Sequence, residues 1–295
     1  MHEYFLTCCT TADLTREHFE ARDISYVCFH YSLDGKSHQD DFGQTISYDD
    51  FYQAMANGAS TSTTQVNIAE YLDFFDSLLA QGKDVLHVCF SSGLSGTYNS
   101  AVNAALICKE RYPERRVLVL DSLCASSGFG LLMDKLADLR DEGMSIDALY
   151  QWGMEHRLEV QHWFFSTDLS AYVRGGRISK AAGVFGGILG ICPLLNMNDA
   201  GKLIPREKIR SKKHAIRAIV DRMEQNAQGG LAYSGKCYIS QSACMDDAKA
   251  VAALVEARFP NLNGHVEINN IGTTIGSHTG PGTVALFFFG KKRTP

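Results

Sequence analysis

The sequence predicts an α/β protein of two domains, the first with a parallel sheet covered by helices on both faces and the second with a mixed sheet. Three observations lead to this prediction. Apolar runs, polar loops and helical stretches alternate at least three times up to about residue 153. The second half combines a hairpin pattern with helices. The length of 295 residues corresponds to about two domains.

In the first half, short apolar runs predict buried strands and stretches with helical spacing predict the helices between them. The clearest helix covers residues 68–80 (IAEYLDFFDSLLA), whose apolar positions lie on one face and which is stopped by Gly82. Residues 60–65 (STSTTQ) show no periodicity and are predicted as a loop. The full prediction places strands at 4–9, 24–31, 84–90 and 116–120, and helices at 16–22, 47–57, 101–109 and 131–140.

The second half is predicted to begin near residues 160–168, and we place the domains at 1–163 and 164–295. A hairpin of residues 192–197 and 201–204 turns at Asn198-Asp199-Ala200-Gly201. Residues 275–282 (IGSHTGPG) are predicted as a tight loop. Further strands are predicted at 160–167, 237–241, 266–271 and 284–290, and helices at 209–228 and 246–259.

Composition excludes several classes of function. A net charge of −5 and a pI of about 6.1 argue against a nucleic-acid partner. No apolar run reaches the roughly 18 residues of a membrane span, so we expect no stable membrane insertion. The N-terminus lacks the pattern of a secretory signal, and the nine cysteines form no C-x-x-C pair. We therefore expect a cytoplasmic protein with reduced, buried cysteines and with neither a metal nor a cofactor.

An anion site is predicted where the strand at 84–90 (DVLHVCF) ends. Residues 91–100 (SSGLSGTYNS) follow it and open a helix, which brings hydroxyl groups and free backbone N–H groups to one point. A helix N-terminus carries partial positive charge. Ligands of open parallel sheets bind beyond the carboxyl ends of the strands, which is where this loop lies.

Four stretches in order along the chain resemble the DegV family of bacterial fatty-acid-binding proteins: 91–100, 121–132 (DSLCASSGFGLL), 172–179 (YVRGGRIS) and 275–282. The chain departs from the family where its usual D-S-T-A-D-L begins with Cys9, and where T-S-Q-P-S reads TTQVN from Thr63 to Asn67. The resemblance implies a DegV-like fold with one long-chain fatty acid bound between the domains. It also implies a non-catalytic carrier, which presents the acid to a separate fatty-acid kinase for acyl-phosphate formation.

By motif, the resemblance implies that Thr63, Ser95 and His278 meet the fatty-acid carboxylate. Backbone N–H groups of Ser95–Thr97 and Gly276–His278 would lie nearby, which adds Gly96, Thr97, Gly276 and Ser277 to the ligand-binding set. Arg174 falls in the motif that resembles a kinase-docking surface. The glycine-rich residues 182–195 would supply a tunnel wall, whereas close helix packing is the commoner use of such glycines. Core and pocket positions both remain open for Phe164, Phe165, Phe185 and Phe287–Phe289.

Each of these residues also has a plainer interpretation. Ser95 could be a helix cap, Thr63 part of a polar loop, His278 a structural histidine, and Arg174 with Arg177 a solvated pair. A serine hydrolase is the alternative function, because Ser95, Asp121 and His278 follow the order of an α/β-hydrolase triad. The G-x-S-x-G elbow of that fold is absent. A kinase is disfavoured because neither G-x-x-x-x-G-K-[ST] nor G-x-G-x-x-G occurs after a strand.

Overall fold

The structure is a computed structural model that describes residues 2–179 and 190–295. Its first sheet has four parallel strands in the spatial order β2 (Ile24–Val27), β1 (Tyr4–Cys9), β6 (Asp84–Cys89) and β7 (Val117–Asp121). The apolar runs form the strands, and the helices between them make the crossovers, as predicted. This unit consists of β1 (Tyr4–Cys9), α1 (Arg16–Ala21), β2 (Ile24–Val27), α3 (Ile68–Leu79), β6 (Asp84–Cys89), α4 (Thr97–Arg111), β7 (Val117–Asp121), α5 (Ser126–Asp141) and α6 (Ile146–His156).

A small antiparallel sheet is inserted between β2 and α3. It consists of β3 (His30–Leu33), β4 (Lys36–Gln39) and β5 (Thr61–Thr64), accompanied by α2 (Tyr48–Ala56). The strand predicted at 24–31 is therefore two strands in different sheets. The prediction of a loop at 60–65 is wrong, because β-branched threonines pair there with β3 and Thr63 lies opposite Tyr31. Along β5 the exposure alternates, so Thr61 and Thr63 share the half-buried face.

The second sheet has six strands in the order β10-β9-β8-β13-β11-β12 and is mixed, since β11 and β12 are parallel and the other pairs antiparallel. The hairpin at 198–201 is confirmed, with Gly201 at φ 68°. The predicted boundary between residues 163 and 164 falls inside β8 and stays a prediction. This unit consists of β8 (Val160–Ser166), α7 (Ser170–Arg174), β9 (Ile191–Met197), β10 (Leu203–Arg210), α8 (Lys212–Asn226), β11 (Tyr238–Gln241), α9 (Met245–Arg258), β12 (Glu267–Asn270), α10 (Thr273–Thr279) and β13 (Thr283–Phe289).

Two predictions for the second half need correction. Residues 275–282 do not form a loop throughout, because α10 extends to Thr279 and ends at Gly280, whose φ of 67° favours glycine. The helix predicted from residue 209 begins at Lys212, since Ile209 and Arg210 still pair with β9. Of the glycine-rich stretch, residues 182–189 lie outside the described part of the chain.

The two faces of the second sheet pack against different partners. Phe165, Leu286 and Phe288 belong to the core that includes residues of α8 and α9. Their neighbours in sequence, Phe164 and Phe287, point the other way into the core shared with the first sheet. Alternation along β8 and β13 therefore turns one aromatic face toward the carboxyl ends of the parallel strands.

Within the described ranges, no helix is both long and apolar enough to cross a membrane. All nine cysteines are free thiols, and all but Cys28 and Cys244 are buried. Burial raises the pKa of the buried thiols, for example that of Cys9 to about 11. These side chains therefore act as small apolar groups of the core.

Candidate functional site

A cavity of about 490 Å³ lies between the first sheet and the inner face of the second. Its walls are mainly apolar side chains, contributed by the loops after β2, β6 and β12, by four strands of the second sheet and by α10. These are Phe29, Phe90, Leu94, Phe164, Met197, Leu203, Ile271, Ile275, Ala285 and Phe287. Phe164 and Phe287 are thus pocket residues, whereas Phe165 and Phe288 belong to the core; Phe185 lies outside the described residues.

Polar groups from several segments also line this cavity, and four of them lie at the candidate site. Thr63 comes from β5, Ser95 from the loop before α4, and His278 from α10. Arg177 joins them from the turn after α7. The fold therefore brings Thr63, Ser95 and His278, which are far apart in sequence, to one cavity.

The hydrogen bonds of His278 define the proton positions. Its Nδ1 lies 3.5 Å from Nη1 of Arg177, and a guanidinium can only donate, so Nδ1 is the acceptor. Its Nε2 lies 2.7 Å from Oγ1 of Thr63 and therefore carries the proton that it donates. Burial, then the charges of Arg177 and Arg174, lower the pKa of His278 to about 4. The imidazole is neutral at pH 7.

Because Thr63 Oγ1 accepts from His278, its own O–H is left to donate to another group. Ser95 is in a similar position, since its Oγ accepts from Thr97 N at 3.3 Å and makes no other hydrogen bond within the described residues. Within residues 2–179 and 190–295, the backbone N–H of Gly96, which precedes α4, also has no hydrogen-bond acceptor. Two hydroxyls and one amide are therefore unpaired donors.

Not all of the predicted site residues line the cavity. Thr97 is buried and hydrogen-bonds Tyr71 OH at 3.1 Å. The N–H of Gly276 donates to Gly272 O inside α10, and Ser277 Oγ donates to Thr273 O. The helix thus uses backbone donors that a loop would have left free. Gly276 and Ser277 support the helix behind His278, and their assignment to ligand binding stays a prediction, as does that of Thr97.

Arg174 and Arg177 are not the solvated pair of the plainer interpretation. Arg174 is exposed at the end of α7, but Arg177 is half-buried and donates to Gly175 O at 2.6 Å and to Leu94 O at 3.1 Å. Gly175 packs directly against His278, so a Cβ there would collide with the ring. Sequence reasoning missed Arg177. The only available signal was its position just after the glycine pair.

The serine-hydrolase arrangement is not formed. The Asp121 carboxylate accepts hydrogen bonds from Ser92 N and Leu123 N, both at 3.1 Å. Among the described residues, the ring nitrogens of His278 face a hydroxyl and a guanidinium, with no carboxylate to orient the imidazole and stabilise its charge. These three residues therefore lack the geometry of a triad.

The lowered pKa of His278 predicts acid sensitivity of the ligand-free protein. The histidine has a pKa near 6.5 when unfolded and about 4 when folded, so the folded state binds fewer protons between these values. Stability present above pH 6.5 is lost as the pH falls toward 4, by about 3 kcal/mol at most. We expect His278→Asn to lose less stability than wild type between pH 7 and 4.5, measured by urea unfolding.

Part of the acid sensitivity is expected to remain in that variant, because burial also lowers the pKa of His87, to about 3, and that of His162. An identical pH dependence in His278→Asn and wild type would contradict the prediction.

Comparisons with known proteins agree on one family. The family model described as "Uncharacterised protein, DegV family" matches residues 10–291. A DegV domain-containing protein of Clostridium perfringens is 32% identical over 295 residues, which cover 100% of both chains. A DegV family protein of Thermus thermophilus, described as binding fatty acid, has a solved structure that is similar with a TM-score of 0.86 at 26% identity, over 99% of this chain and 100% of that one. DegV of Bacillus subtilis, described as a fatty acid binding protein, has the same fold, with a TM-score of 0.83 at 22% identity over 99% and 100% of the chains.

Proposed function

The chain belongs to the DegV family, and from this premise we propose that it binds one long-chain fatty acid. The carboxylate lies at Thr63, Ser95 and His278, and the acyl chain fills the apolar cavity. The observation that carries the proposal is the cavity itself, which combines an apolar wall with unpaired donors from distant segments. Pockets for small ligands have volumes of roughly 300–1,000 Å³.

The donors suit a carboxylate. An ionised group that leaves water must regain hydrogen bonds, or its burial costs several kcal/mol. The hydroxyls of Thr63 and Ser95 and the N–H of Gly96 can each donate, and Arg177 adds positive charge close by. Charge-assisted bonds of this kind contribute about 1.5–3 kcal/mol each.

The acyl chain supplies the larger share of affinity, because each buried methylene contributes about 0.8 kcal/mol. The sixteen methylenes of an octadecanoate chain would contribute about 13 kcal/mol, against about 4.5–9 kcal/mol for three head-group bonds. The relatives support this assignment, since the Thermus thermophilus protein is described as binding fatty acid.

Delipidated protein tests the proposal. Native mass spectrometry after mixing with octadecanoic acid is expected to show a single adduct of that mass. Octadecane, which has the same chain without the carboxylate, is the control and should bind far more weakly. Absence of any octadecanoate adduct would refute the proposal.

We further propose that the protein does not phosphorylate the acid itself but presents the carboxylate to a separate fatty-acid kinase. The sequence has no phosphate-binding loop of the common types. In this arrangement the polar end of the cavity must face the partner. Arg174 supports this, since it is exposed and its charge reaches His278.

Arg174→Ala is expected to leave the Kd for fatty acid unchanged and to lower acyl-phosphate formation by the partner kinase about tenfold, through a lost charge contact between the proteins. The measurement is kcat/KM with ATP, magnesium and the purified kinase. Arg16→Ala is the matched control, because Arg16 is also exposed but lies on α1. Equal kinase turnover in both variants would remove Arg174 from the docking surface.

A further inference from the structure

Helix α10, which carries His278, has no N-terminal cap of its own. It starts at Thr273 after Gly272, whose lack of a side chain leaves the first backbone N–H groups without a local acceptor. Helices with this deficit need an acceptor from elsewhere, because buried N–H groups without partners are costly. The start of α10 is buried, so water does not supply that acceptor.

Asp40, at the end of β4, supplies the missing cap. Its Oδ2 accepts from the N–H of Thr274 at 3.2 Å, and its Oδ1 accepts from the hydroxyl of Thr273 at 2.9 Å. A second carboxylate, Asp13, accepts from the N–H of Gly272 at 3.0 Å. An ionised carboxylate at this place also has favourable charge for a helix N-terminus.

Burial of two carboxyl groups at the start of α10 costs free energy. Asp40 is 2% exposed and Asp13 is 5% exposed. Burial raises the pKa of both carboxyl groups, and Asp40 raises that of Asp13 further by its proximity. Neither has a cation as its hydrogen-bond partner within the described residues. Asp40 lies 233 residues from Thr273 in the sequence. Two buried acids brought to one helix start from so far away need a reason beyond ordinary packing.

Residues 52–63, which follow Asp40 in the sequence, make further contacts with α10 and the residues just before it. Tyr52 OH donates to Ile271 O at 2.7 Å, and Thr61 Oγ1 donates to Ser277 O at 3.1 Å. Thr63 then meets His278 at the far end. Every one of these contacts joins the segment before residue 65 to the segment 271–278. His278 is therefore positioned by the same part of the structure that supplies Thr63, to which it donates a hydrogen bond.

We propose that Asp40 is a positioning residue for the carboxylate site: it caps α10 from the small sheet and so holds His278 against Thr63. This inference rests on the proposed function, because it concerns the histidine that leaves the Thr63 hydroxyl free to donate to the fatty-acid carboxylate. It assigns a role in the site to a residue that does not line the cavity.

Asp40→Asn tests the proposal with little change in shape. The amide oxygen can accept from only one of the two donors, and the substitution removes the negative charge at the start of α10. The cap is therefore weakened even where the Thr273 hydroxyl turns to accept from the NH₂ group. We expect the Kd for octadecanoate to rise about tenfold, as for loss of one good hydrogen bond. We also expect the pKa of His278 to rise from about 4 toward 6.5, because the ring loses burial when α10 loosens.

The sign of that pKa change separates positioning from simple electrostatics. Removing a negative charge near a histidine lowers its pKa, so an upward shift can only report altered surroundings of the ring. The pKa is read from the ring resonances of His278 by NMR in ligand-free protein, assigned through their loss in His278→Asn.

Asp134→Asn is the matched control. Asp134 is also a buried carboxylate that links the two halves of the molecule. It pairs with Arg22, which follows α1, with Lys236 and with Tyr238 OH, but it lies outside the cavity. This variant should melt at a lower temperature while keeping the wild-type Kd and His278 pKa. An equal His278 shift in Asp134→Asn would show general loosening and would overturn the proposal.

Thr273→Val is the second variant in case Asp40→Asn does not fold. It removes the hydroxyl bond to Asp40 while leaving the carboxylate in place, and should shift Kd and the His278 pKa in the same directions by smaller amounts. If wild-type protein binds no fatty acid, the proposed function fails and the Kd comparison has no meaning. If wild type binds and the folded variants keep its Kd and His278 pKa, the positioning role alone is refuted.

Discussion

Ala285→Phe is expected to remove most of the affinity for long-chain fatty acids. Ala285 lies on β13 with its side chain toward the cavity. A ring added there occupies the space of about five methylenes of the ligand, and at about 0.8 kcal/mol each their loss amounts to about 4 kcal/mol. The Kd for octadecanoate should therefore rise roughly a thousandfold, as measured by isothermal titration calorimetry.

Chain length provides the internal control for this variant. Hexanoate uses only the polar end of the cavity, so its weak binding should change little. Ala252→Phe controls for strain from overpacking, because Ala252 is equally buried but lies on α9 in the core on the other face of the sheet. A thousandfold loss for both acids, or an equal loss in Ala252→Phe, would contradict the assignment of the cavity to the acyl chain.

Thr63→Val is expected to weaken carboxylate binding by about 10- to 150-fold. Valine has nearly the shape of threonine and favours strands as strongly, so the pairing of β5 is retained. The ligand loses one charge-assisted hydrogen bond, worth about 1.5–3 kcal/mol, and the Nε2–H of His278 loses its acceptor. Titration of delipidated protein with octadecanoate measures the change.

Ser62→Ala is the control for Thr63→Val. Ser62 is the preceding residue of β5, and its side chain is exposed on the opposite face of that strand. It should bind octadecanoate with wild-type affinity. The role of Thr63 would be lost if both variants bound equally well, or if Thr63→Val weakened octadecanoate and octadecane to the same degree.

Elements stabilised by their own sequence were predictable. The strand at 84–90 is a mainly apolar run, and α3 has both an amphipathic face and a capping box between Asn67 and Glu70. The structure confirms both within one or two residues.

Elements stabilised from a distance were not predictable. β5 is a short polar strand that exists because β3 pairs with it, and α10 is a helix whose cap comes from Asp40. Neither partner can be recognised from the residues next to these elements. Both carry a residue of the candidate site, Thr63 and His278, so the local sequence gave the wrong secondary structure at that end of the cavity.

The residues of the candidate site also divide into those that local sequence indicates and those that depend on distant contacts. The loop at 91–100 was recognisable as a candidate ligand loop, because a buried strand, small residues and a helix follow one another there. The positions of Thr63 and His278 relied on the family resemblance. The half-buried Arg177 required the structure, since a guanidinium next to two glycines looks the same in sequence whether it faces water or a cavity.

The contact between Gly175 and His278 has a mechanical consequence. Gly175, Gly176 and Arg177 each donate a backbone hydrogen bond to a carbonyl of α7, so the helix and the turn form one hydrogen-bonded piece. That piece carries Arg174 on the outside of the molecule and touches the imidazole on the inside. Because the bare Cα of Gly175 lies against the imidazole, any side chain at this position would displace the ring from Thr63.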